Sequence, residues 1–422
     1  MNAPTGAGAE AGDGGTDSRE AVRLVVLVCA AQVLAQIGAF AWPALLPGRM
    51  AEWALGSAEA GWVTGLFYAA YTVSVPVLVT LTDRVDPRRV YLFGVATTTI
   101  SHLGFTLLAD GFASAAAMRI LAGIGWAGSY MTGLKLLSDR VSPRLLSRAT
   151  AGHAAGVGLS GALSFLIAGS VGAWLGWRAA FAVAAGCAAA AWLIAVLLVP
   201  PAGRPSATAG ARLFDFRPVF RNRSAMAYAI AYGVHTLEMS ALRGWVVAYL
   251  AGVAVLAGSG SGLGPASVAA AMGILGTLVS VAGNEMSIRL GRQRLIRIAM
   301  SGSMVCAVVI ALVGTRGYWL AVALVLVYAA LIWLDSSSLT AGAAGTAEPG
   351  RRGATLAVHS MLGYGGGFLG PVVVGVTLEA AGGPTPTGWA AAFLALAAVG
   401  LAGRLVFAVM RPAGLAGDRV GH

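Results

Sequence analysis

Residues 81–89 read LTDRVDPRR, with charges at Asp83, Arg84, Asp86, Arg88 and Arg89. They stand between two long apolar runs, 61–80 and 90–109. A block this charged belongs in water, whereas a run of about 20 apolar residues, coiled as a helix, crosses the ~30 Å hydrocarbon core of a bilayer. A weaker echo, SIRLGRQR at 287–294, follows roughly 205 residues later and again separates apolar runs. A water-facing loop that recurs at half the chain length points to a duplicated membrane protein.

Composition agrees. Hydrophobic residues make up 58% of the 422 positions, charged residues 11%, and the mean hydropathy is +0.78. Soluble domains carry about 25% charge, so most of this chain avoids water. The net charge of +11 does not imply a nucleic-acid partner, because the arginines lie in short clusters between apolar runs instead of forming one basic face. Cys29, Cys187 and Cys306 fall inside apolar runs, with neither disulfide nor metal-site spacing, and read as small packing residues. The N-terminal stretch, rich in Gly, Ala and acids, lacks the basic start of a signal peptide and reads as a disordered tail over 1–21.

Twelve spans can be marked: 22–46, 60–81, 90–109, 112–137, 149–172 and 178–199, then 225–250, 266–287, 295–314, 318–342, 354–378 and 388–410. A Pro-, Gly- and Arg-containing stretch over 200–224 separates the two sets of six and reads as a linker, and 411–422 as a tail. Seventeen arginines lie in the loops that follow even-numbered spans, against Arg49, Arg178 and Arg316 in the opposite loops. By the positive-inside rule the linker and both termini are cytoplasmic, and the protein is a multi-pass protein of the cell inner (plasma) membrane. Trp42 with Trp53, Trp174 with Trp177, and Tyr318 with Trp319 read as interfacial belts.

Further echoes support duplication. LGWRAAF at 175–181 returns as TGWAAAF at 387–393, and Arg148 with His153 returns as Arg352 with His359. An even number of spans per half makes the halves parallel repeats. The expected fold is an all-α membrane protein of twelve transmembrane helices in two parallel-repeat six-helix bundles.

LTDRVDPRR resembles the loop 2–3 signature of the major facilitator superfamily, whose usual form is a Gly followed by D-R-x-G-R-R. Asp83, Arg84, Arg88 and Arg89 match; Val79 stands at the leading Gly, and Asp86-Pro87 replaces Gly-Arg. The second copy keeps Arg289, Gly291 and Arg292 but has Ile288 at the acidic position. Span 4 carries a form of the R-x-x-Q-G pattern, with Arg119 and Gly123 matching and Ala122 in place of Gln. Span 5 lacks the Gly-Pro pair of the antiporter signature. The resemblance implies alternating access, a role for Arg119 in proton or substrate handling, and a cytoplasmic charge network. That network would join Asp83, Arg84, Arg88 and Asp139 in the first half and Arg289, Arg292, Glu348 and Arg352 in the second, with Asp139 facing Arg84 or Arg88.

Ionisable side chains within spans are costly and so become candidates for binding and coupling. Span 7 holds His235, Glu238 and Arg243; the first two share a helical face, while Arg243 diverges from Glu238 by about 140°. A desolvated carboxyl and an imidazole can both exchange protons near neutral pH. Arg119 offers a forked donor for an anion, against the alternative of bonding a backbone carbonyl. Asp335 sits among Ser336, Ser337 and Ser338 in span 10, and either lines a cavity or bonds between helices. Lys135, the only lysine, either snorkels or takes part in the site. His153 and His359 occupy equivalent places in spans 5 and 11.

With no phosphate-binding G-x-x-x-x-G-K-[ST] loop, ATP drive within the chain is not expected. The reading is a secondary transporter, working as a monomer, that moves a small anionic or polar solute together with protons, with no cofactor, no metal and no enzymatic role. The alternatives are a proton-driven exporter of amphipathic drugs or metabolites and a non-transporting membrane receptor.

Overall fold

The computed structural model describes residues 14–201, 216–258, 262–415 and 418, and these form helices and connecting turns. The first half contains α1 (Gly14–Gln36), α2 (Ala41–Glu52), α3 (Ser57–Leu81), α4 (Pro87–Leu108), α5 (Phe112–Ser138), α6 (Pro143–Leu175) and α7 (Trp177–Leu198). A short α8 (Arg217–Arg221) leads into the second half: α9 (Arg223–Leu256), α10 (Pro265–Leu290), α11 (Arg292–Val313), α12 (Tyr318–Trp333), α13 (Ser336–Gly345), α14 (Arg352–Ala380) and α15 (Pro386–Met410). Counting α1–α2 and α12–α13 as single interrupted passages gives six crossings per half. Eleven of the twelve are long and apolar enough to span a membrane. The other, α5, is as long, but it carries Arg119 and Lys135 and many small residues because it is wedged between α3 and α4.

The charged loop is also a helix start. Asp86 caps α4, its carboxylate accepting from the Arg88 N–H at 2.9 Å, and Pro87 takes the first helical position, where no backbone donor is needed. The Asp86-Pro87 pair that departs from the loop signature is therefore a helix-capping device.

Some boundaries differ from the sequence reading. The first helix begins at Gly14, so residues 14–21, expected in the disordered tail, are helical; helix formers at Arg19, Glu20 and Ala21 extend the apolar run. Residues 1–13 of that tail, 202–215 of the linker, and 416–417 and 419–422 of the C-terminal tail lie outside the described residues. Trp42 is fully buried and donates to Thr64 Oγ1, because it sits in mid-passage and not at the interface. Trp174, by contrast, is 89% exposed, as a lipid-facing belt residue should be.

The halves meet along two seams, α3 against α14 and α6 against α10. On the first, Gly61 lies against the Pro371 carbonyl and Gly375, and Gly65 against the Phe368 carbonyl, where a Cβ would collide with backbone. The seam continues from Ser57 and Gly375, at the Arg-poor end, to the level of Tyr71 and Tyr364. Close helix crossings of this kind need small residues. The bundle is thus drawn together over its Arg-poor portion.

Candidate functional site

Two passages are interrupted at the same place in the molecule. In the first, residues 37–40 separate α1 from α2; in the tenth, Leu334 and Asp335 separate α12 from α13. Arg243 of α9 lies between the two breaks. Its guanidinium stands 5.3 Å from the Phe40 ring centroid and 4.8 Å from that of Trp333, and it interacts electrostatically with Tyr68 of α3. Phe40 and Tyr68 belong to the first half and Trp333 to the second, so Arg243 bridges the seam. Stacking on aromatic faces fixes the guanidinium plane and leaves its N–H edge available.

Arg119 reaches the first break from α5. It is buried, lies 4.3 Å over the Phe67 ring, and donates through Nη1 to the Ala39 carbonyl at 3.1 Å. The Phe40 N–H of the same break donates to Ser164 Oγ at 2.9 Å. Backbone polar groups freed by an interrupted helix must be satisfied inside a membrane; here a guanidinium and a hydroxyl satisfy them. Arg119 therefore makes the backbone contact that the sequence left as the alternative. It also interacts electrostatically with Tyr68, as Arg243 does. Among the described residues neither arginine has an acidic partner. Tyr71 and Tyr364, tilted rings with centroids 4.0 Å apart, lie beside Tyr68 and complete an aromatic lining.

The acids lie elsewhere. Glu238 points into the second half, accepting from Ser303 Oγ at 3.1 Å and Tyr328 OH at 3.4 Å, with Gly400 of α15 behind it. His235 Nδ1 is 3.0 Å from Asp335 Oδ1, and both side chains are buried. A small hollow lined by His235, Glu238, Met300, Ser303 and Asp335 joins them. His235 and Glu238 share one face, as their spacing requires, but that face looks inward among α9, α11 and α12 and not onto the seam. Glu238 and Arg243 accordingly serve different compartments. The ring of Tyr232 stacks on His235 at 5.5 Å and on His359 at 4.0 Å, while His153 stacks on Tyr130 at 5.4 Å.

A sequence profile of the Major Facilitator Superfamily matches residues 28–371. The chain belongs to this superfamily. It is a multi-pass membrane protein. An uncharacterized MFS-type transporter of Mycobacterium tuberculosis, Rv1250, is 35% identical over 79 residues, which is 19% of this chain and 14% of that protein. The chain thus matches well under two thirds of that relative's length. Among solved structures, a mutant of the nucleoside transporter NupG superposes with a TM-score of 0.79 at 15% identity, covering 92% of this chain and 99% of that one. The peptide transporter POT in complex with sulfate gives 0.76 at 12% identity, covering 94% and 97%. At such identities the likeness is one of fold.

The superfamily loop signature makes a compact charge network at the Arg-rich end. Lys135 Nζ lies 3.1 Å from Asp139 Oδ2 and 3.8 Å from Asp83 Oδ1. The acids thus meet Lys135, where Arg84 or Arg88 was expected, because Lys135 is one helical turn before Asp139 and leans over the loop. Arg88 turns away to donate to the Ala195 and Val196 carbonyls at the end of α7, at 3.1 and 2.6 Å, where a cation favours the helix dipole. In the second half Arg289 pairs with Glu285 at 2.8 Å on an exposed face. Arg292 is buried and binds Asp418 through two nitrogens, each at 3.0 Å, so it holds the C-terminal tail. Glu348 accepts the Arg351 N–H through its backbone carbonyl, and Arg352 begins α14 as an exposed residue.

At the opposite end the structure reveals a contact between halves that the sequence did not suggest. Glu379, near the end of α14, accepts the Ala58 N–H at 2.8 Å through Oε2, at the start of α3. A carboxylate on the positive end of a helix is favourable. Glu379→Gln should weaken this closure. A cysteine introduced by Ala248→Cys in the adjoining hollow at this Arg-poor end should then react about fivefold faster with an impermeant maleimide. An unchanged labelling rate would mean that the glycine seam alone sets closure.

Proposed function

We propose that the protein is a proton-coupled carrier of a small anionic solute, which binds between the halves at Arg243. The observation that carries this reading is the pair of arginines without acidic partners, Arg243 and Arg119, flanking Tyr68 at the seam. A cation desolvated without a counter-charge is costly, and an incoming anion relieves that cost. Tyr68, Tyr71 and Tyr364 add hydroxyls and ring faces, which suit an organic anion better than a bare ion. An exporter of amphipathic cations would need an acid in this lining, and the acids are set behind it.

The hollow of Glu238, His235 and Asp335 is the proposed proton site. Glu238 is held by two hydroxyls and no cation, so it can take a proton without breaking an ion pair. Asp335 occupies the α12–α13 break, two residues from the Trp333 ring that stacks on Arg243. A change of charge at Asp335 or His235 would shift that break and with it the ring under Arg243. This is a route from proton to solute.

With the Arg-rich end in the cytoplasm, and the halves taken as 22–199 and 225–410, the conformation described is closed to the outside. Asp83, Lys135 and Asp139, with Arg84, then form the first-half cytoplasmic gate, and Arg88 ties the loop to the end of α7 beside it. Arg289, Arg292, Glu348 and Arg352 form its second-half counterpart. The carrier acts as a monomer in the plasma membrane, with both termini cytoplasmic and no nucleic-acid partner. A thermal-shift screen of the purified protein against organic anions, amino acids and organic cations tests the solute class. Stabilisation by anions, lost in Arg243→Met, is expected; stabilisation by cations alone would overturn the reading.

A further inference from the structure

The acidic hollow of the second half has a counterpart in the first. It is lined by Gln36 of α1, Thr98 and His102 of α4, and Trp126 and Ser129 of α5, with Ala39, Phe67 and Ala122 between them. Its polar groups come from the first, third and fourth passages of their half, with Phe67 added from the second; those of the acidic hollow come from the first, third and fourth of the other, with Gly400 added from the sixth. Duplication has placed a polar hollow at equivalent positions in each bundle. Their chemistries are opposite.

No carboxylate lines the first-half hollow, and its polar groups are mostly donors without partners. Gln36 Nε2, Trp126 Nε1, Arg119 Nε and both ring nitrogens of His102 are buried with no hydrogen bond among the described residues. Each of these four side chains is more than nine-tenths buried. The Arg119 guanidinium lies over Phe67 and bonds Ala39, two lining residues, and it interacts electrostatically with His102. The hydroxyls of Thr98 and Ser129 are turned to their own helices, donating to the Gly94 and Trp126 carbonyls at 3.1 and 3.3 Å. Gln36 uses its oxygen to accept from Ser160 at 3.2 Å, which leaves its amide nitrogen free. His102 is held in place by Gly38 in the α1–α2 break, where any Cβ would strike the imidazole.

Orphaned buried donors in this number are rare, because each is destabilising unless something accepts from it. The hollow has room for one water-sized body. A single water accepts only two hydrogen bonds, fewer than the amide, indole, imidazole and guanidinium N–H groups present, although the Thr98 and Ser129 oxygens and the unprotonated imidazole nitrogen can take its own protons. A monatomic anion can accept from several donors and offset the charge of Arg119, which lies against the lining residues Phe67 and Ala39. We infer that this hollow is a site for one small inorganic anion of halide size, chloride being the probe of choice. Its occupant would fix Arg119, and through it the α1–α2 break, and would leave Arg243 as the uncompensated cation that meets the solute.

The test needs no transport. Thermal unfolding of the purified full-length protein is followed while chloride replaces gluconate at constant ionic strength and pH. A saturable rise in Tm is expected with chloride and bromide. Trp126→Phe, which removes one N–H with little change of shape, should raise the half-saturating chloride concentration about tenfold. Trp319→Phe, on an exposed ring, should leave it unchanged. Iodide quenching of wild-type fluorescence supplies a second readout that does not depend on the variant folding. A saturable component, absent in His102→Leu, supports the site. Equal Tm in chloride and gluconate, or the same chloride dependence in Trp126→Phe and His102→Leu as in wild type, would mean that the hollow holds water and would overturn the proposal.

Discussion

Glu238→Gln is expected to abolish solute accumulation driven by a pH gradient while leaving counterflow exchange measurable. Glutamine keeps the size of the side chain, and its amide oxygen can still accept from Ser303 and Tyr328. It cannot carry a proton. A gradient of one pH unit is worth about 1.4 kcal/mol per proton and so supports roughly tenfold accumulation with one proton per solute. The variant should equilibrate without concentrating the solute at all. If Glu238 only braced the second half, the substitution would lower Tm and slow both modes together. That split between driven uptake and exchange is what separates a coupling residue from a structural one.

The second large effect is expected at Arg243. Arg243→Lys retains the positive charge but loses the planar fork and the stacking between Phe40 and Trp333. A compact ammonium is more strongly hydrated and cannot present two parallel donors to a carboxylate. The apparent affinity for the anion should fall by about 10- to 100-fold, with a smaller change in the maximal exchange rate. Such a loss in KM, with the protein folded, assigns Arg243 to solute binding. A wild-type KM in Arg243→Lys would move the anion to another part of the seam.

Most of the architecture was legible because a bilayer imposes a simple length and hydropathy rule, and because arginine is confined to one set of loops. The interruptions were not. Residues 37–40 read IGAF and contain no proline; that break is stabilised by Ser164 and Arg119, more than 75 residues away in sequence. Tertiary partners decide it, and a local reading sees only an apolar run with one glycine. The spacing of His235 and Glu238 correctly gave them one face, but which neighbour that face meets depends on how α9 is rotated in the bundle. Helix rotation is set by packing around the whole passage, and the sequence of one span does not contain it.

Residue type also hid parts of the site. Tyr68, Gln36, His102 and Trp126 are neutral or nearly so, and single residues of this kind in apolar runs are usually just packed. The available signal was His102, the one imidazole in the 90–109 run, which Gly38 of the first span faces. Lys135 was visible as the only lysine, yet its bond to Asp83 and Asp139 depends on how the loop folds back over α5. Charge alone could not choose between Lys135 and the nearby arginines.

The central claim is that a solute anion and a proton move together. It is tested most directly by adding the anion selected in the thermal-shift screen to sealed proteoliposomes containing the protein, with a pH indicator outside and no imposed gradient. Alkalinisation of the medium on addition of the anion, absent in Glu238→Gln, is the predicted result. Entry of the anion with no change of external pH would contradict the account.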